Sequence, residues 1–348
     1  MHAEYRVPGG GLLVFDAEVL DGRIAHPRLG GEFSAEPAEA LEDVVEALAG
    51  LPLEATSERI ARSVREAMPR RAELIGATPE QIGVVVRRAI TGAADWRDFE
   101  WEVLRTPMFD PRIHVALDQV LAEEVGAGRR GPSMRFWRGW WKSAVLLGSF
   151  QSLREEVDEE RAAQRDFDVV RRVTGGGTMF MERGSVIAYS IYAPQELVGG
   201  MDLAQSYAFL NAWAMEGLAE LGVRVRTEAL GEIVCDEGRI GEAAQKRFGS
   251  GAVLHHAVLG YEIDQGLMKD VLRGAADRRG RTNRSRGRAS SIKEQSGLRR
   301  DDVVDHLEQT FLRLHGGRLG ELEVPEQRRA IELAESKFSS REWTARIP

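Results

Sequence analysis

Between Gly9 and Phe33 apolar residues come in short alternating runs. Leu12-Leu13-Val14-Phe15 is the clearest and Asp21-Gly22 is a hairpin turn signal, so two or three short strands are predicted. The period then lengthens: Leu41, Val44, Val45 and Leu48 recur at helical spacing, Gly50 and Pro52 interrupt, and Ile60, Val64 and Met68 resume it. A helix from Pro79 to Ile90 completes a small α+β unit over residues 1–91 that is expected to fold separately. Residues 92–111, with Trp96, Trp101 and Asp110-Pro111, read as a partly docked linker. Residues 112–348 carry a mixed α/β pattern. A helix from Ile113 to Val125 leads into strand-like runs at Met134–Trp137, Ala144–Gly148, Val169–Val173 and Val186–Tyr192. A long helix from Asp202 to Leu221, a strand from Val223 to Arg226 and another from Val253 to Ile263, bent at Gly260, follow. No internal repeat is visible.

Length agrees with two domains, because 348 residues exceed what one core usually organises. A net charge of −8 argues against general nucleic-acid binding, which needs an electropositive surface. The exception is local: Arg278 to Lys293 holds six arginines, one lysine and no carboxylate among glycines and serines, and reads as a mobile loop suited to docking an acidic partner. One cysteine, Cys235, cannot form an internal disulfide, which fits a reducing cytoplasm. The N-terminus has no apolar signal core and no apolar run approaches the ~20 residues of a membrane span, so neither secretion nor membrane insertion is expected.

The segment richest in chemistry is Arg171-Arg172-Val173-Thr174-Gly175-Gly176-Gly177-Thr178-Met179-Phe180, a strand running into three glycines and out again. Three glycines cost backbone entropy, so such a run marks a sharp turn or a close approach to a ligand, and two arginines beside it suit an anion. The glycines alone are equally compatible with a tight hairpin flanked by solvated arginines. No Gly-Lys-Ser/Thr follows, so this is not a Walker A loop. A second segment, Gly231 to Arg247, adds Arg239, Lys246 and small residues, with Leu254-His255-His256 after it. Lys246 and Arg247 would also fit a solvated helix end. Adjacent histidines on a strand face opposite ways, so no metal site is built from that pair.

Together these segments resemble the lipoate–protein ligase A family of the biotin/lipoate ligase superfamily. The family's Arg-Arg-x-Ser/Thr-Gly-Gly-Gly-Ala/Thr signature is similar to Arg171–Thr178, and its Gly-Lys-Ile/Val-x-Gly-x-Ala loop followed by Leu-His-His is similar to the stretch from Gly238 to His256. Its Lys-Phe/Tyr-x-Ser-x-Glu/Asp-Trp element resembles Lys337–Trp343, and the likeness spans most of residues 112–315. The small accessory domain that usually follows resembles the N-terminal Val7-Pro8-Gly9-Gly10 and Gly30-Gly31-Glu32-Phe33 stretches instead, as if the two modules were circularly permuted.

The resemblance implies a mixed-sheet catalytic domain with a small N-terminal accessory domain. It also implies a two-step ATP-dependent reaction. Lipoate attacks the α-phosphate of ATP, releasing pyrophosphate, and a lysine of a lipoyl-domain acceptor takes the acyl group; the acceptors implied are 2-oxoacid dehydrogenase E2 subunits or the glycine cleavage H protein. Mg2+ should accompany ATP. By the same carry-over, Arg172, Thr174, Gly175, Gly176, Gly177, Thr178, Met179, Phe180 and His256 bind the adenylate, Arg172 being a surface arginine that meets its phosphate. Arg239 stands where the family has its loop lysine, and Lys246 assists. The family's Asn-Asp-Ile becomes Gly231-Glu232-Ile233, and the accessory domain's lysine becomes Gly11. These departures leave open a catalytically silent binder. An octanoyltransferase is the other alternative; such enzymes carry the acyl group on a cysteine downstream of the lysine loop, whereas Cys235 lies upstream.

Overall fold

Two compact units organise the chain, and a computed structural model describes residues 1–348 apart from 9, 229–230, 237 and 274–290. The first comprises Met1–Asp98 together with Gln195–Ala212. Its three-stranded antiparallel sheet is β1 (His2–Arg6), β2 (Leu12–Leu20) and β3 (Arg23–Gly31), with Asp21 and Gly22 turning at positive φ as their dipeptide predicts. A two-stranded ribbon pairs β4 (Ser34–Glu36) with β5 (Glu73–Ile75). Helices α1 (Ala40–Leu48), α2 (Ser57–Ala67) and α3 (Pro79–Thr91) complete the unit. Thr78 and Gln81 form a capping box at the start of α3, and Gly92 ends it in the left-handed conformation. The later segment belongs here because Phe209 packs 5.4 Å from Trp96 and under the guanidinium of Arg88. Nothing in the local pattern pointed to that return.

The second unit comprises Phe99–Pro194 and Trp213–Pro348. Helix α4 (Pro111–Gly126) begins at Asp110, whose carboxylate accepts the Arg112 N–H, with Pro111 in the first turn. A small sheet orders β10 (Met179–Met181), β8 (Ala144–Leu147) and β9 (Asp168–Arg171) side by side, β8 and β9 parallel. The large sheet has eight strands in the order β12 (Arg226–Thr227), β13 (Glu232–Cys235), β14 (Gly238–Arg247), β15 (Ala252–Gly260), β11 (Val186–Pro194), β7 (Ser133–Phe136), β6 (Glu102–Arg105) and β16 (Arg318–Glu321). Its neighbours are antiparallel as far as β7, then parallel. α4 lies on β11 and β15, and Leu117, Val120 and Leu121 enter a buried core with Tyr192, Leu254 and Val258. Each such side chain removed from water stabilises by about 1.5–3 kcal/mol.

The mixed α/β reading holds, with three corrections. Glu102–Arg105 is an internal strand of the main sheet rather than linker, and Trp101 beside it is fully buried. Lys246 and Arg247 end a ten-residue strand, not a helix. Of the arginine-rich stretch, Arg278–Ser290 lies outside the described residues, while Lys293 sits in a capped helix, Ile292–Ser296, and pairs with Glu262 at 2.7 Å. Among the described residues no helix is long and apolar enough to cross a membrane.

Candidate functional site

The three glycines connect β9 to β10, and what lies beneath them is a chain of buried hydrogen bonds. Arg172 is buried: Nε–H donates to Thr174 Oγ1 at 2.9 Å, Nη1 to Leu146 O at 2.8 Å, and Nη2 to Gly175 O and Gly177 O at 2.8 and 2.6 Å. The sequence suggested a surface arginine facing a phosphate; instead the guanidinium fork holds the loop from below. Arg171 is buried too and donates to the carbonyls of Gly148, Gln151, Thr344 and Ile347. Each motif arginine thus spends four of its five N–H donors on the protein's own oxygens, holding the segments around the loop together.

From Thr174 the chain continues inward. Its hydroxyl lies 2.8 Å from His256 Nε2, and His256 Nδ1 lies 2.8 Å from Asp118 Oδ2 on α4. A carboxylate only accepts, so Nδ1 carries the proton and Nε2 accepts from Thr174. Asp118 Oδ1 also receives Arg135 at 2.8 Å and the Tyr192 hydroxyl at 2.6 Å, and Arg135 Nη1 donates to His114 Nδ1 at 2.7 Å. Burial alone would raise the pKa of Asp118; the His256 hydrogen bond and the Arg135 charge outweigh it and bring it to about 2. Burial and the Arg135 charge push His114 down to about 3, and burial lowers His256 despite Asp118. Thr174, His256 and Asp118 therefore have the connectivity of a hydroxyl–imidazole–carboxylate relay, but Thr174 is wholly buried and receives Arg172. It locks the loop to α4 and β15. His256, expected to meet a ligand, is engaged at both nitrogens, while His255 turns to the other face beside Tyr189.

The next residues divide. Gly176 and Gly177 are exposed, whereas Met179 and Phe180 send their side chains into two hydrophobic cores, Phe180 stacking on Phe167 at 4.9 Å. The side chains at those two positions, expected to line an adenylate, are part of the core, because strand alternation inside a sheet covered on both faces buries each side chain in turn. Thr178 Oγ1 meets Gln151 at 3.1 Å and Glu156 at 3.3 Å.

Strand β14 passes close to the loop. A Cβ on Gly176 would lie 3.4 Å from Ala244 Cβ, and one on Gly177 would lie 3.0 Å from Glu242 Oε2. Glu242 was not singled out from the sequence, although it stands at the second glycine of the Gly-Lys-Ile-x-Gly-x-Ala pattern. Its Oε2 accepts from Arg239 Nη2 at 3.0 Å, and its Oε1 is buried with no hydrogen-bond partner among the described residues. Arg239, half exposed, thus arrives already paired with a carboxylate. Lys246 follows two residues after Ala244 on the same strand face. Cys235, at the end of β13, is buried; its thiol donates to Gly238 O at 3.2 Å and receives Gln295.

Residues 110–312 match the family model of the lipoyl protein ligase A/B catalytic domain, which is more than half of the chain. The chain belongs to that family. Its relatives include the octanoyltransferase LipM of Moorella thermoacetica, 27% identical over 274 residues that span 71% of this chain and 98% of the relative. LipM of Exiguobacterium sibiricum is 26% identical over 195 residues, 49% of this chain and 69% of that protein. Among solved structures, lipoate-protein ligase A bound with ATP superposes with a TM-score of 0.62 at 24% identity, over 72% of this chain and all of that one. The bi-partite lipoate protein ligase of Thermoplasma acidophilum, described with its E2 lipoyl domain, gives 0.61 at 24% identity over 72% and 98%. These likenesses establish the fold, that of the lipoate–protein ligases. Lipoyl protein ligase A/B members are enzymes of lipoyl and octanoyl group transfer.

Proposed function

We propose that this chain is a lipoate–protein ligase that activates lipoate with ATP and passes the acyl group to the lysine of a lipoyl-domain acceptor in the cytoplasm. The observation that carries this reading is the state of the only thiol. Transfer through an acyl-thioester needs an exposed, activated thiolate; Cys235 is buried and bonded between Gly238 and Gln295. A buried thiol favours activation through a mixed anhydride with a nucleotide phosphate, and the negative charge that develops there needs fixed cations and N–H donors near the exposed glycines. The chain's own contribution is positional: Arg172 and the Thr174–His256–Asp118 chain fix the loop. Among the described residues no group of three or more His, Cys, Asp or Glu side chains could hold a metal ion, so no step is assigned to a resident metal, and Mg2+ would enter with the nucleotide.

The names of the sequence relatives favour a second reading, octanoyl transfer from a carrier. One pair of measurements separates the two. Lipoate-dependent exchange of labelled pyrophosphate into ATP, unchanged in Cys235→Ser, is expected of the ligase. Absence of exchange, together with octanoylation of a lipoyl domain that Cys235→Ser abolishes, would establish the transferase instead.

A further inference from the structure

Lys337 and Arg346 meet on the ring of Trp343, Lys246 stands on β14 two residues past the Ala244 that touches Gly176, and among the described residues no ion pair with a carboxylate is made by any of the three. Lys337 Nζ and Arg346 Cζ each lie 4.0 Å from the ring centroid of Trp343. Among the described residues Lys337 donates to a neutral acceptor, Gln119 Oε1, at 2.8 Å, and Arg346 to Ser149 O and Oγ at 2.7 and 2.5 Å. Lys246 Nζ rests 4.9 Å from the Phe248 ring. Glu123 faces Lys246 and Lys337, but its oxygens are taken by Arg329 and Gln119. The cations feel one another: beyond burial, the charge of Arg346 lowers the pKa of Lys246, and that of Lys246 lowers Lys337.

The cluster also has a definite place. Ser149, held by Arg346, donates its N–H to Thr174 O at 2.8 Å, immediately before the first glycine. Phe150, one of the most exposed aromatic side chains at 81%, stands 3.8 Å from where a Gly175 Cβ would be. At the far end of the loop Glu242 lies against Gly177 and neutralises Arg239. The loop thus runs from a cationic end, where Glu123 faces two of the three cations but is bonded to Arg329 and Gln119, to a carboxylate end. A phosphate is repelled by Glu242 and relieves the mutual repulsion of the three cations.

We propose that Lys246, Lys337 and Arg346 form the subsite for the phosphate of the acyl donor, in place of the paired Arg239. This rests on the acyl-transfer reading above, and the phosphate could belong to a nucleotide or to a phosphopantetheine arm. Calorimetry on the full chain with inorganic pyrophosphate, Mg2+-ATP and 4′-phosphopantetheine tests it. Wild type should bind at least one probe, and a Lys246→Gln, Lys337→Gln double variant of unchanged melting temperature should bind it at least about tenfold more weakly, a change of about 1.4 kcal/mol. Arg239→Gln should lose less than the double variant. Binding of pyrophosphate and ATP identifies a nucleotide donor; binding of phosphopantetheine alone identifies a carrier. No binding by wild type, an unaffected double variant, or a larger loss in Arg239→Gln each overturns the subsite. Mass spectrometry of a lipoyl domain incubated with the same preparations keeps the two claims apart: acylation without probe binding sinks the subsite alone, and probe binding without acylation under any donor sinks the transfer reading.

Discussion

Arg172 and Lys246 lie on two sides of the same glycine loop and do opposite things with a positive charge. Arg172 is buried and donates to one hydroxyl and three carbonyls. Lys246 is half exposed, rests on an aromatic ring, and has two further cations for neighbours. The difference teaches that the arginine most conspicuous in the sequence is turned inward, with four of its five N–H donors spent on the protein's own oxygens. The cations free to act are those without such obligations.

The sharpest way to break this contrast is at the bottom of the network. Asp118→Ala leaves Arg135 as a buried charge with no carboxylate and should destabilise the fold by about 3–5 kcal/mol in urea unfolding. A loss below about 1 kcal/mol would mean that the network is not what holds the loop. Arg172→Ala comes next. It strands the carbonyls of Leu146, Gly175 and Gly177, and about 3 kcal/mol of stability should go with it, measured the same way. A variant of native stability that merely binds phosphate less well would return Arg172 to the ligand.

Acid sharpens the comparison from another direction. His114 and His255, with pKa values lowered to about 3 by burial, are neutral when folded but take protons in the unfolded chain below its ordinary value of 6.5. Stability should therefore fall as pH drops from about 6.5 toward 3, by up to about 1.4 kcal/mol per pH unit for each histidine. Asp118 adds to the loss between 3.8 and about 2. Melting temperatures flat from pH 7 to 4 would contradict the assigned neutral rings. The smallest effect belongs to the open side: Lys246→Gln with Lys337→Gln should shift stability by no more than about 0.5 kcal/mol, since half-exposed cations without ion-pair partners hold little in place. A large loss there would make the cluster structural and erase the contrast.

What could be read in advance follows the same division. The hairpin at Asp21-Gly22, the capped α3 and the apolar α4 stripe were legible because local chemistry and final structure agree there. β14 was not, because Gly238-Arg239-Ile240-Gly241-Glu242-Ala243-Ala244 has almost no β-branched residue; its extended form is imposed by pairing with β13 and β15 on either side. Glu102–Arg105 is too short to show a period. In the site, the motif located the loop but not the direction of its side chains. Whether an arginine donates inward or outward depends on carbonyls from Leu146 and Thr344, far along the chain. Glu242 could have been found, since it replaces a glycine of the family pattern with a carboxylate.

The grip of Arg171 on Thr344 O and Ile347 O, with the Trp343 indole donating back to Arg171 O at 2.8 Å, ties the signature to sequence some 170 residues later. For anyone trimming or fusing this protein, Trp343–Pro348 is therefore part of the motif rather than a tail. Cutting before Trp343 would remove two of the Arg171 acceptors and Arg346 in one stroke, a lesion inside the glycine loop made without altering a single glycine.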